Sequence, residues 1–520
     1  MSTDRRRFLQ SVVSLGTGAS AAGLLSSCHM SGSTGSGPGS NGAFDTLRIG
    51  VPALPSDLDP TRNPGNADVR VLPNIFDTLI SADQTNNYKL GPMLATAYKR
   101  VDAKTVHVEL RKNVTWHDGS SFSADDVVFS INRITSDDPN LSLAYSLLGN
   151  LKAKKIDDLT VEISSPTADP VIEQRIACIW GSYMIPKKYI ADNTLEHFAT
   201  NPIGTGPYRV DSSSPDMVVL KRYDGFWGDA PLIETIEYHY YPDTSDRITA
   251  FLTGEIEVMA QLPQDQVPVV NQRDGVHDVM KNLENYYMLV FDPVAFPVVA
   301  DVRVRQALNL AIDRQQLVTS LWNGEAQIPH GPQYPQFGDL FIDDFPQPTY
   351  DPDTAKKLLK EAGYNGEEIQ YQVRSPGYYT FETESGAAIV SMWQSIGVNA
   401  KLSPQAQADF TKAPSTTWSN SFRFPDPLGG LWLLWGPGGA TKDYFTPPKE
   451  FIDAGHRLQS ETDTSARRAA AQDLMQSWTD ACPALLYYYP AEHWGVSDKI
   501  KWEPYASMAM DFRAGRIQFA

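Results

Sequence analysis

The side chains in this chain that could carry chemistry are few and scattered. Nine histidines and three cysteines are spread over 520 residues, with no HExxH, no histidine pair four apart and no GxSxG. Neither a zinc hydrolase helix nor a nucleophile elbow can be built from them. Gly204-Thr205-Gly206 lacks the lysine of a phosphate loop and reads instead as a turn whose glycines supply permissive dihedrals before a strand. His117-Asp118-Gly119 reads as a capped turn. No catalytic residue, no metal site and no cofactor follows from these patterns. What remains is a supply of arginines and aromatic residues suited to binding rather than to turnover.

The elements that would position them are mixed helices and strands without an internal repeat. Thr46 to Val51 and Thr105 to Arg111 alternate apolar and polar residues as half-buried strands do, with His107 on the solvent face. Ser123 with Asp126 three residues on is a capping box that opens a helix through Ile131. Val304, Ala307, Leu308, Ala311 and Ile312 follow helical spacing, which predicts one amphipathic helix from Asp301 to Trp322. Asp351-Pro352 opens another helix, closed by Gly363, and later helices are predicted over Glu384 to Ile396 and Ser465 to Asp480. Tyr487, Tyr488 and Tyr489 are expected to alternate across a strand.

Composition bounds the function. With 42% hydrophobic and 20% charged residues, the chain can fill two or three cores. A formal net charge of −18 with no basic run argues against nucleic acid as a partner. Asp4-Arg5-Arg6-Arg7-Phe8-Leu9 ahead of a mild apolar stretch looks like a twin-arginine export signal, Arg5 and Arg6 being its paired arginines. Leu25-Ser26-Ser27-Cys28 resembles a lipobox, which would make Cys28 the acylated first residue of the mature chain. Residues 1–27 are then the signal and residues 28–43, rich in Gly and Ser, a flexible tether. Loss of Asp4 and three arginines, net +2, would take the mature charge to −20. No later stretch reaches the roughly 18 apolar residues of a spanning helix, so the body is expected to be soluble. Cys178 and Cys482 could pair or stay free.

Leu110-Arg111-Lys112-Asn113-Val114-Thr115-Trp116-His117-Asp118-Gly119, continued to Phe129, resembles the defining stretch of the extracellular solute-binding proteins of family 5, which serve ABC importers of peptides, nickel and oligosaccharides. Gly204 to Tyr208, Phe226-Trp227-Gly228, Gly254 to Glu257, Val302 to Asp313, Tyr350 to Gly363 and Ile396-Gly397-Val398 match in the same order. The resemblance implies an α/β, periplasmic-binding-protein-like two-lobed clamshell of type II with an extra inserted domain. Carried over, residues 44–74, 200–284 and 494–520 form the first lobe, 75–199 the inserted domain and 285–493 the second lobe. It further implies a non-enzymatic, exported, lipid-anchored receptor, expected to be a monomer, with an ABC permease and ATPase complex as partner in the membrane. A solute sensor feeding a membrane signalling receptor is the alternative.

Dipeptide-binding members hold the peptide carboxylate with an arginine at a strand end, and Arg374 stands there, although its spacing to Gly397 is about two residues longer. A planar guanidinium meets a carboxylate in bidentate fashion. They hold the peptide ammonium with an aspartate three residues before an Asp-Pro pair. Here the pair is Asp426-Pro427 and the earlier position is Arg423. A cation cannot anchor an ammonium, so a peptide-like solute with a second anion, an opine-like or dicarboxylic solute, or a sugar-containing one is expected. Asp426 could be displaced into the ammonium role. Trp418, Phe424 and Trp432, with Tyr378 behind Arg374, complete the candidate ligand contacts as aromatic faces, Trp432 and Trp435 being equally readable as core.

Overall fold

The computed structural model describes residues 45–62, 65–136, 141–374, 378–406 and 412–520. Arg5, Arg6 and Cys28, with the signal and tether assigned to residues 1–43, lie outside the described residues.

Three sheets organise the chain. The largest has seven strands in the order Val276–Asn282, Ala491–Ser497, Val258–Leu262, Thr46–Val51, Thr235–Tyr240, Met217–Arg222 and Tyr208–Ser213. Thr46–Val51 lies at its centre with parallel neighbours on both sides, which is why Leu47 and Ile49 are fully buried. The second sheet has five strands, ordered Ala400–Gln405, Ile369–Arg374, Ser415–Ser421, Asn285–Phe291 and Ala484–Tyr488. A third, of four strands, joins Ala95–Asp102, Thr105–Leu110, Thr160–Ser164 and Lys152–Asp157. In it Val106, Val108, Val161 and Ile163 are fully buried, each contributing roughly 1.5–3 kcal/mol by leaving water. Among the described residues no helix is long and apolar enough to cross a membrane.

The chain passes between the two larger sheets twice, from Asn282 to Asn285 and from Tyr488 to Ala491. The four-stranded layer is pinned to the largest sheet by two of the sequence motifs acting on each other. Gly204 N–H donates to His117 Nδ1 at 3.1 Å, and His117 Nε2 donates to the Gly206 carbonyl at 3.0 Å. Both glycines are required, but not for their dihedrals, since neither has a positive φ. A Cβ on Gly204 would overlap the Ile75 carbonyl oxygen, and one on Gly206 would sit 2.6 Å from the Asn74 carbonyl oxygen. Close backbone approach is the reason for glycine here.

Local signals set most boundaries. Asp126 Oδ2 accepts from Ser123 N at 2.9 Å at the start of the helix Ala124–Ile134. Asp351 caps the helix Pro352–Ala362 and Gly363 ends it at φ 74°. The single helix expected from Asp301 to Trp322 is instead two, Val302–Leu310 and Arg314–Trp322. Asp313 breaks it, because its side chain caps the second helix by accepting from Gln316 N at 2.9 Å. The three consecutive tyrosines do not alternate as expected: the ladder shifts register beside Tyr487, so Tyr487 and Tyr488 enter the same core and Tyr489, just past the strand end, enters the other. Tyr487 OH donates to Tyr371 OH at 2.8 Å, and Tyr488 and Tyr489 bond Ser385 and the Gln333 carbonyl.

Candidate functional site

Strand Ser415–Ser421 pairs along its whole length with Asn285–Phe291, and one more bond, Phe422 N–H to the Glu284 carbonyl at 2.7 Å, carries the pairing to the crossover. Arg423 follows directly. Its guanidinium lies 4.3 Å from the centre of the Trp180 ring, a cation–π contact of the kind that strengthens as water is excluded. Trp180 stands four residues beyond the short helix Ile172–Ile176. Cys178, Phe422, Phe424 and Tyr88 complete a small cavity around Arg423, with Gln84 and Ser507 at its edge. Its free space of about 20 Å³ matches a water or two.

The electrostatics of Arg423 are unbalanced. Among the described residues no carboxylate lies within 4.0 Å of its guanidinium, and its Nη1, shut off from solvent, has no hydrogen-bond partner. Burial pulls the group below the ordinary guanidinium range, because a charge withdrawn from water loses hydration. The acid behind this cavity does not supply the missing charge. Tyr88 OH donates to Glu284 Oε2, and burial pushes Glu284 up to about 7, so much of it is protonated at neutral pH.

Arg374 ends the strand Ile369–Arg374, which runs parallel to Ser415–Ser421 with Gln372 opposite Thr416. Both arginines therefore leave the sheet at the same edge. Arg374 is already partly engaged. Its backbone N–H donates to Glu382 Oε1 at 2.9 Å, its Nε lies 3.5 Å from the same oxygen, and its guanidinium is 4.5 Å and 4.4 Å from the Tyr378 and Tyr379 ring centres. The hydroxyl of Tyr378 reaches across to the turn at Gly65, where an added Cβ would be 3.4 Å away.

Of the remaining candidates, Asp426, Trp418 and Trp432 do not line the Arg423 cavity. Asp426 is ion-paired with Arg467, both side chains under 10% exposed, and its Oδ1 accepts from Leu428 N at 2.9 Å. Trp432 stacks on Phe451 at 5.8 Å, and Trp418 packs 6.4 Å from Trp435. Phe424 lines the Arg423 cavity and lies 5.9 Å from the Arg175 guanidinium. Arg374 and Tyr378 do not line that cavity. Trp180, Cys178 and Tyr88 were not candidates from sequence. Trp180 stood in a short apolar run with nothing local to mark it. Cys178 and Cys482 are unpaired and buried, and among the described residues no group of three or more His, Cys, Asp or Glu could hold a metal ion.

Comparison with known proteins bears on this geometry. The profile described as bacterial extracellular solute-binding proteins, family 5 middle, matches residues 89–442, more than half of the chain. A glutathione-binding protein of Pectobacterium atrosepticum is 30% identical over 322 residues, 61% of this chain and 61% of that protein. The dipeptide-binding protein of Escherichia coli K12 is 29% identical over 337 residues, 60% of this chain and 62% of that one. The chain thus spans about three fifths of the length of the curated relatives it matches. Among solved structures, a dipeptide-binding protein of Pseudoalteromonas sp. SM9913 in complex with Met-Leu superposes with a TM-score of 0.83 at 22% identity, covering 91% of this chain and 100% of that one. The fold is accordingly the two-lobed clamshell that the sequence resemblance implied.

Proposed function

The chain belongs to the bacterial extracellular solute-binding proteins of family 5, proteins that bind solutes and do not transform them, and from that premise we propose that it captures a peptide-like solute for an ABC importer. In this reading the solute carries a carboxylate or equivalent anion at the end that meets Arg423. The protein is exported through its twin-arginine signal, held to the membrane by a lipid on Cys28, works as a monomer and hands its solute to a permease. Lobe I, the inserted domain and lobe II divide at residues 75, 200, 285 and 494.

One observation carries the choice of solute: a guanidinium at the cleft, half-buried, stacked on Trp180 and without an anionic partner among the described residues. An unpaired cation held from water is costly, and an incoming anion would offset that cost. Arg374, with Tyr378 beside it, takes the other end, and Phe424 and Trp180 flank the charged group. A peptide-like molecule with a carboxylate at each end suits two such arginines. Glutathione, named for the relative in Pectobacterium, has that chemistry: its γ-linked glutamate leaves an α-carboxylate at the end opposite the glycine carboxylate. Glutathione keeps an ammonium on that same carbon, but beside a carboxylate that can meet the guanidinium, whereas a plain dipeptide would place its ammonium against Arg423 with no anion at that end. Asp426, Trp418 and Trp432 act as supports from within lobe II.

Thermal-shift and calorimetric titration of the mature protein with glutathione, γ-glutamyl dipeptides, opine-like diacids and Met-Leu tests this. The diacids should stabilise most, as expected when a ligand binds only the folded state. Arg423→Gln should weaken them at least ten-fold, the scale of a lost charge-assisted contact. Strongest binding by Met-Leu, undiminished in Arg423→Gln, would overturn the assignment.

A further inference from the structure

The second crossover between the two larger sheets, Tyr488 to Ala491, carries a titratable bridge that the proposed solute contacts do not include. His493 lies just beyond it in the strand Ala491–Ser497, between Met280 of the edge strand Val276–Asn282 and Leu262. Its side chain is 4% exposed and stands between two carboxylates: Nδ1 lies 2.7 Å from Asp278 Oδ2, and Nε2 lies 2.8 Å from Glu325 Oε2. The two acids are held by different sheets. Asp278 shares the seven-stranded sheet with His493, and Asn271 fixes it by donating from Nδ2 to Oδ1 at 2.6 Å while accepting from its backbone N–H at 3.0 Å. Glu325 is anchored to the five-stranded sheet. In the helix before it, Arg314 Nε donates to the Leu486 carbonyl at 2.6 Å, and Gln327 after it exchanges backbone bonds with Tyr489 at 3.1 Å and 2.7 Å.

A carboxylate only accepts hydrogen bonds, and a neutral imidazole carries a single N–H. Both contacts are hydrogen bonds at once when the ring is imidazolium, so the bridge holds a proton that its separated parts do not require. Among the described residues neither acid has a Lys or Arg within 4.0 Å. The other charged groups on the elements around the ring are engaged elsewhere. Glu492 lies 3.5 Å from Arg70, His277 2.7 Å from Asp498 and Lys281 2.8 Å from Glu503. Arg247 donates to the Ala260 and Tyr241 carbonyls, Asp265 accepts from Gln266, and Arg273 and Asp274 are exposed. When the proton leaves, Asp278, fixed by Asn271, keeps the Nδ1–H, and Nε2 turns a lone pair on Glu325.

We infer that His493 is a proton-operated clasp of the clamshell: protonated, it ties Glu325 to Asp278 across the second crossover and favours the closed form, and deprotonated, it lets the two sheets part. The boundary proposed at residue 494 falls inside the strand Ala491–Ser497, which pairs as one unit within the seven-stranded sheet, so His493 moves with that sheet. Solute capture closes a clamshell and here takes up a proton; to that extent the clasp rests on the function proposed above. Histidine changes charge between pH 5 and 8, which sets the range of the test.

The test compares the mature wild-type protein with Glu325→Gln and His493→Phe at pH 6 and pH 8. The amide that replaces the Glu325 carboxylate can donate to a neutral ring, so this variant keeps all nine histidines and the bridge but not the need for a proton. By small-angle scattering, the radius of gyration of the ligand-free wild type should rise from pH 6 to pH 8 by more than that of either variant. The ratio of glutathione affinities at the two pH values should be roughly five-fold larger in wild type than in either variant, within the ten-fold per pH unit that one linked proton allows. Glu284, raised to about 7, titrates in all three proteins, so the difference between them reports the bridge. Equal pH responses of wild type and both variants, in scattering and in binding, overturn the clasp and leave the solute reading standing. A scattering difference between wild type and variants with no binding of glutathione at either pH sinks the solute reading and leaves the clasp standing.

Discussion

Asp426→Asn separates a ligand contact from an internal support. The substitution keeps the shape of the side chain, so the bond that Leu428 N donates to Oδ1 at 2.9 Å can persist. What it removes is the charge that faces Arg467, whose side chain is 7% exposed. Breaking a buried pair from one side costs about 3–5 kcal/mol, because the other charge stays buried alone. Arg467 keeps its bonds to the Leu458 and Glu461 carbonyls at 2.6 Å and 3.1 Å, which places the expected cost at the lower end, about 3 kcal/mol. For a lobe of about 200 residues unfolding as a unit, that is a fall of roughly 6–12 °C in Tm, read by calorimetry. Affinity for a diacid should stay within about two-fold, because Asp426 does not line the Arg423 cavity. Replacing both partners, Asp426→Asn with Arg467→Met, should recover much of the loss, since no unpaired charge then remains. A ten-fold loss of affinity with Tm unchanged would refute the reasoning and return Asp426 to the ligand.

Burial holds His117 down at about 4 against an ordinary 6.5. It therefore contributes about 3 kcal/mol that is present above pH 6.5 and lost as pH falls toward 4; His117→Asn should be less stable at pH 7 and show a flatter acid limb in pH-dependent denaturation. Glu284 has the opposite sign. Its carboxyl is raised from 4.5 to about 7, so its contribution is complete below pH 4.5 and lost as pH rises through 7, and Glu284→Gln should remove that loss in the same measurement. Gly204→Ala should cost at least about 2 kcal/mol, as forced overlaps do, because the new Cβ meets the Ile75 backbone rather than a movable side chain; wild-type stability by urea denaturation would contradict the close-approach argument.

The legible parts of this chain are those where a few neighbouring residues decide the outcome. Alternation over Thr105 to Leu110 specifies a half-buried strand, and Ser123 with Asp126 specifies a helix start, because both depend on spacings of two and three residues. The same logic failed over residues 302–322, where an apolar stripe outweighed Asp313, whose capping bond interrupts the helix. Segment order was enough to identify the family, and the three-residue offset from Asp426-Pro427 was enough to single out Arg423. Sequence alone therefore determined the fold class and pointed to one cation, Arg423, as a candidate ligand contact.

Tertiary structure alone decided what that cation faces. Trp180 stands 243 positions earlier in the chain than Arg423 and reaches it only because folding brings the two segments together. Whether Asp426 is free or paired depended on Arg467, 41 residues away. The bridge at His493 is likewise invisible in sequence, since its two acids stand 215 and 168 positions away. Local patterns encode backbone conformation because its energetics are local. A binding site is a balance of burial against charge across long separations, and that balance exists only once the chain has folded.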